Sequence, residues 1–262
     1  MASEHTNQSV ERAAAVLRAF TDGRGALRLS EVARRSGVGM SSSSRMLGTL
    51  ESLGLVERDP VTGLYRLGLE LLSLAGVAVN EHPAYRAGRQ IAQRLAATTG
   101  LGANLAVRHA DAVFYLCNFE GEQAPKSYSM LGHRNPLHAT GLGKCLLLGL
   151  DSEQRRPLLG APPAAYTVHS ITDLDALDAD LDTASRRGYA IESEELALGR
   201  GCLAAPLRDS TGAVVAALSV SGPLSALDLP RREAELAQRV IEAADQISVG
   251  LGYLSPAGSY AG

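Results

Sequence analysis

The order of signals between residues 9 and 67 restricts this chain more than anything else in it. Three short runs of helical spacing come first, with a glycine turn among them, and a Pro/Gly turn follows. Val10, Ala13, Ala14, Leu17 and Phe20 fall three and four residues apart, which puts one apolar stripe on a helix, and Asp22, Gly23 and Gly25 end it. Ser30 is expected to cap a second short helix through residues 31–35 that closes at Ser36 and Gly37. The connection Gly37-Val38-Gly39-Met40 leads into residues 41–53, where Met46, Leu47, Leu50 and Leu53 keep helical phase. That is a helix-turn-helix outline. Residues 55–58 and 64–67 flank Asp59-Pro60-Val61-Thr62-Gly63, in which proline presets one dihedral and glycine accepts a positive one, so a two-stranded hairpin is expected. A helix-turn-helix followed by a hairpin is a winged module. Its third helix would enter a DNA major groove with Ser41, Ser42, Ser44 and Arg45 offered to phosphates and base edges, and Arg66 of the wing would reach a backbone phosphate. A small helical protein-interaction module shows the same periodicity, and spacing alone does not separate the two.

The rest of the chain has a different texture. From Gly68 it reads LELLSLAGVAVNEH, with Leu69, Leu72, Ala75 and Val79 on one stripe and Leu71 and Leu74 beside it. A face so wide needs covering, either by a second copy or by the helix's own domain. A further helix is expected from about residue 83 to 98, carrying Ile91 and Leu95. Beyond it, strand-like runs (103–107, 113–117, 214–221) alternate with helix-like ones (142–150, 174–187, 231–254), which is an α+β pattern. Leu236, Val240, Ile241, Ala244, Ile247 and Leu251 make the last run amphipathic, and SPAGSYAG after it is expected to be disordered. Ser219 and Ser221 stand two apart, so a strand points both hydroxyls to one face. Gly141 and Leu142 open an apolar helix, where free amides favour a carboxylate.

Composition removes several classes. Of the 262 residues, 45% are hydrophobic and 20% charged, which is globular rather than disordered. No apolar run approaches the roughly 20 residues a bilayer demands. The opening MASEHTNQSVERAAA lacks the basic flank and apolar block of a secretory signal, so a cytoplasmic protein is expected. Cys117, Cys145 and Cys202 are odd in number and far apart, as reduced thiols are. His5, His82, His109, His133, His138 and His169 show no metal-ligand spacing, so neither a metal nor another cofactor is expected. The net charge is -3, with residues 1–80 slightly basic and the remainder acidic, which is weak support for a nucleic-acid partner at the front.

The segments QSVERAAAVLRAF, LSEVARRSGV and SSSSRMLGTLESLGLVERDPVTGLYRLG resemble the DNA-binding domain of the IclR family of bacterial transcriptional regulators without a gap from about Gln8 to Gly68. PLHATGLGKCLLL, RRGYAIESEELALGRGCLAAPLRDSTGAVVAALSVSGP and the terminal helix resemble the same family's second domain. The resemblance implies a winged helix-turn-helix domain over residues 6–68, a linker helix over 69–82, a GAF-like effector-binding domain over 83–254 and a tail over 255–262. It implies a double-stranded, palindromic operator, a small organic or aromatic acid as effector, and a homodimer, with a tetramer left open. It also implies that Gly141, Leu142, Glu192, Cys202, Ser219 and Ser221 line the effector site. Three positions depart from the family: Met40 where a basic residue is frequent, Ser43 where a β-branched apolar residue is usual, and Glu192 where aspartate is usual. A buried Ser43 hydroxyl is expected to bond back to a carbonyl one turn earlier. A carboxylate at 192 facing an acid implies a raised pKa, a bridging water, or an effector that carries a donor. The competing class is a cysteine-dependent enzyme using Cys145 or Cys202 with His138 as base and Glu192 as orienter. It has no local nucleophile signature, and a dimerisation scaffold without ligand is the third class.

Overall fold

The computed structural model describes residues 7–21, 25–124 and 129–254. Asp22 and Gly23, expected to end the first helix, and the tail 255–262 lie outside the described residues. The chain divides into two compact units, Met1–Asn80 and Glu81–Gly262.

The first unit opens with α1 (Gln8–Arg18), whose N-cap Asn7 accepts the Ser9 N–H. Helix α2 (Leu29–Ser36) starts one residue before Ser30, so Ser30 is not its cap. Glu31 does that work by accepting the Arg28 N–H at 3.0 Å, which closes the first turn from inside the helix. Gly37 ends α2 with φ +68°, a left-handed conformation that glycine adopts without penalty. Helix α3 (Met40–Ser52) follows after two further residues. Strands β1 (Val56–Arg58) and β2 (Tyr65–Leu67) pair antiparallel with Glu57 opposite Arg66. Their turn is held by Asp59, whose Oδ1 accepts the Val61 and Thr62 N–H groups. Val16, Phe20, Leu27, Val32, Leu47, Leu50, Val56 and Tyr65 fuse helices and hairpin into one core. The Ser43 hydroxyl is fully buried and donates to Val38 O at 3.0 Å, in the connection before α3 rather than one turn back within it. Helix α4 (Glu70–Glu81) buries none of its residues; Leu72 and Val77 stay 66% and 67% exposed.

The second unit is a six-stranded antiparallel sheet with helices on both faces. In chain order it comprises α5 (Pro83–Thr99), β3 (Gly102–His109), β4 (Ala112–Phe119), β5 (Arg134–Pro136), α6 (Gly141–Leu147), α7 (Ser152–Leu159), α8 (Leu174–Arg187), β6 (Ala190–Ser193), β7 (Arg200–Arg208), β8 (Val214–Pro223), α9 (Leu224–Leu227) and α10 (Leu229–Gly250). The strand order is β5-β4-β3-β8-β7-β6. Side chains alternate across each strand. Leu203, Ala205 and Leu207 of β7, with Leu218 and Val220 of β8, pack with α5 and α10. Ala204 and Ala217 face the other way, against Leu142, Leu146, Leu177 and Leu181 of α6 and α8. Helix α10 ends at Gly250, short of the 254 expected from its spacing, because Gly252 takes φ +88° and turns the chain out of helix.

Candidate functional site

The residues proposed to meet DNA stand on two elements. Ser41, Ser44 and Arg45 are exposed on α3, Ser42 is half-buried, and Ser43 points inward. The exposed face therefore mixes small donors with one cation and continues to Gly48 and Thr49 a turn later. Arg66 is engaged: its Nε and Nη2 both donate to Glu57 Oε2, at 2.9 and 2.8 Å. An exposed pair of this kind is worth about 0–1 kcal/mol, so a phosphate can draw Arg66 away at little cost. Arg35 serves structure instead, donating to Ala19 O at 3.1 Å and tying α2 to the end of α1.

In the second unit a cavity of about 440 Å³ opens on the sheet face that carries α6 and α8. Sheet register builds its floor. Glu192, Cys202 and Ser221 stand directly opposite one another on β6, β7 and β8, and Ser219 is opposite Asn104 on β3 in the next row. Paired residues of antiparallel strands point to the same face, and neighbouring strands lie about 4.8 Å apart, so five polar side chains from four strands share one small patch. Leu142, Glu192, Cys202, Ser219 and Ser221 of the expected set line this cavity.

Gly141 does not line it. Its N–H donates to Cys202 Sγ at 3.3 Å, and Thr140 Oγ1 takes the Gly143 N–H at 3.0 Å, so the helix start is already capped and offers no free Gly141 amide. A Cβ on Gly141 would stand 2.8 Å from that sulfur, inside any real contact distance. Position 141 thus acts through its lack of a side chain, letting α6 rest on Cys202.

Asn104 escaped the sequence reading. It is buried and its Nδ2 donates to Ser219 Oγ at 3.2 Å and Ser221 Oγ at 3.0 Å, which leaves each hydroxyl hydrogen free to donate onward. Only the pairing of β3 with β8 brings it there, and no local signal marks it. Tyr115, Thr140 and half-buried Arg200 also line the cavity.

Glu192 is a buried acid with its own partners. Its Oε1 accepts the N–H groups of Glu195 at 2.7 Å and Leu196 at 3.3 Å, and the Cys202 thiol lies 3.6 Å from Oε2. Burial raises its pKa, and the backbone donors oppose the rise. Behind it Lys144, 1% exposed, bonds Glu195 at 2.5 Å, Asp180 at 2.8 Å and Ile191 O at 3.3 Å. Burial works against the ammonium charge, but the Glu195 and Asp180 carboxylates outweigh it and raise the Lys144 pKa. Burial pushes the Glu195 carboxyl up to about 7 against the pull of Lys144. The lysine cross-links α6, α8 and the loop after β6, which forms one wall of the cavity.

The thiols are not poised for nucleophilic work. Burial, reinforced by the Glu192 charge, pushes Cys202 well above an ordinary thiol, and burial takes Cys145 to about 12. Cys145 instead donates to Ala204 O, and His138 Nε2 lies 2.8 Å from Ala164 O. Among the described residues no hydrogen bond joins His138 to either sulfur, and no group of three or more His, Cys, Asp or Glu side chains could hold a metal ion. Among the described residues no helix is long and apolar enough to cross a membrane.

Comparison with known proteins follows the same division. Residues 9–60 match the family model described as the IclR helix-turn-helix domain, and residues 77–249 match the one described as bacterial transcriptional regulator IclR C-terminal. The chain is 31% identical over 246 residues to the HTH-type transcriptional repressor AllR of Klebsiella pneumoniae, covering 94% of this chain and 90% of that protein. It is 33% identical over 236 residues to the HTH-type transcriptional regulator BhcR of Paracoccus denitrificans, covering 90% and 84%. Among solved structures, an IclR transcriptional regulator from Alicyclobacillus acidocaldarius superposes with a TM-score of 0.84 at 28% identity, covering 95% of this chain and all of that one. An IclR homologue from Microbacterium hydrocarbonoxydans, complexed with 4-hydroxybenzoate, superposes with a TM-score of 0.77 at 27% identity, covering 93% and 98%.

Proposed function

Since this chain belongs to the IclR family of transcriptional regulators, we propose that it is a cytoplasmic, DNA-binding regulator whose operator affinity responds to a small organic acid held in the cavity on the α6 face of the sheet. The observation that carries this reading is the convergence of Glu192, Cys202, Ser219 and Ser221 from three strands on one cavity, in a chain that also presents the exposed α3 face. The 4-hydroxybenzoate bound to the Microbacterium homologue supports an acid of that size. In our reading Leu142 supplies the apolar wall, Ser219 and Ser221 donate to the ligand, and Glu192 accepts from it. Ser41, Ser42, Ser44 and Arg45 meet the DNA, with Arg66 on a phosphate once it leaves Glu57.

A single winged module makes few phosphate contacts, so the regulator works as a homodimer on a palindromic site, with the exposed stripe of α4 as the pairing surface. The ligand switches it only through a difference in affinity between two arrangements of the protein; equal affinity for both would shift nothing. Arg45→Ala tests the DNA half. In a gel-shift titration at fixed salt on duplexes from its own promoter neighbourhood, operator affinity should fall roughly tenfold or more, as losing one base-edge arginine does, with the melting temperature unchanged. Unchanged affinity removes α3 as the reading element.

A further inference from the structure

Arg200 is the first residue of β7, two positions before Cys202, so its side chain leaves the sheet on the face of the cavity. It is half-buried where Glu192, Cys202 and Ser219 are buried, which sets it at the solvent side. Among the described residues its guanidinium makes no hydrogen bond or ion pair. The other ionised groups nearby are occupied. Lys144 is spent on Glu195 and Asp180, and Glu192 on two backbone amides. One ammonium against the buried Glu192 and Glu195 and the half-buried Asp180 leaves the floor short of positive charge, and such a floor repels an organic anion. An unpaired arginine at the entrance reverses that, and its planar fork fits a carboxylate with two parallel hydrogen bonds.

The next inward row of the cavity has the complementary pattern. Ser221 is held by Asn104 as a donor, and the Glu192 carboxyl two strands away is an acceptor. One hydroxyl group satisfies both, accepting from the serine and donating to the acid. The Arg200 and Cys202 rows are two residues apart along β7, roughly 7 Å.

We propose that Arg200 is a specificity-determining residue of this cavity, pairing with the carboxylate of a hydroxy acid at its entrance while the ligand's distal hydroxyl bridges Ser221 and Glu192. The proposal rests on the effector reading above and gives it a ligand class. The Arg200 side chain has no part in holding the fold.

Binding is measured by calorimetry and melting shift on the full chain with 4-hydroxybenzoate, 3-hydroxybenzoate, 4-hydroxybutyrate and glycolate, each beside its neutral primary amide. In the wild type at least one acid should bind about tenfold or more tightly than its amide, the scale of a charge-assisted pair. Arg200→Gln should erase that preference, Arg200→Lys should restore part of it, and neither should move the ligand-free melting temperature. Retention of the acid preference in Arg200→Gln overturns the proposal, as does a wild type that binds no acid in preference to its amide. Gel shifts on the same samples judge the regulatory reading separately. A neutral amide that binds as tightly as its acid and alters DNA affinity removes Arg200 and keeps the regulator. A preferred acid that leaves DNA affinity untouched does the reverse.

Discussion

Glu195 shows how one buried side chain can carry the condition dependence of a whole wall. Its carboxyl is squeezed between Lys144, Asp180 and the Glu192 loop, and burial lifts it from 4.5 to about 7. The folded protein therefore holds that proton more tightly than the unfolded chain does. The stabilisation is complete below the unfolded value and is lost as pH rises through the folded one. Raised Glu192 acts in the same direction. Between about pH 5 and pH 7 the wild-type melting temperature should fall, and Glu195→Gln, which cannot lose the proton, should fall less. Parallel pH profiles would mean that the Glu195 proton is not held by the fold. None of this was legible in the sequence, where Lys144 is one of two lysines and Glu195 one of many acids. Arg66 teaches the same lesson: its pairing with Glu57 depends on β1–β2 register, not on a local pattern.

Elements differ in how much of themselves they reveal. Helices α3 and α8 and the Asp59–Gly63 turn are set by periodicity and turn chemistry, and these can be read locally. Strand β7 went unread because nearly all of it is buried on both faces, and Pro206 and Gly201 break the β pattern, so Arg200–Arg208 has no alternation to detect. With β7 unassigned, the meeting of Glu192, Cys202 and Ser221 rested on family resemblance alone. Helix α4 is the reverse case, with an apolar stripe plain in the sequence and still uncovered in the folded chain. If that stripe is the pairing surface, Leu72→Asp combined with Val79→Asp should turn a dimer into a monomer in sedimentation. Operator affinity should fall with it, because the second half-site is lost. A double variant that still sediments as a dimer places the interface elsewhere.

At the scale of the molecule, the division at Asn80/Glu81 gives each part a core of its own, with Val16, Leu47 and Tyr65 in one and Leu105, Leu218 and Val240 in the other. A chain starting at Glu81 should therefore melt in one cooperative transition and keep the melting shift given by any acid the intact protein binds. A broad or absent transition would mean that the second part leans on the first. Strands β7 and β8 carry a longer consequence. Odd-numbered Leu203, Ala205 and Leu207 face α5 and α10, while even-numbered Cys202 and Ala204 face the opposite side; on β8 the parity is reversed, with Ser219 and Ser221 toward the cavity and Leu218 and Val220 away from it. Taste and architecture are thus written in alternate letters of the same two lines. A lineage can rewrite Ser219 and Ser221, and with them what the pocket accepts, while leaving untouched the Leu218 and Val220 that pack with α5 and α10.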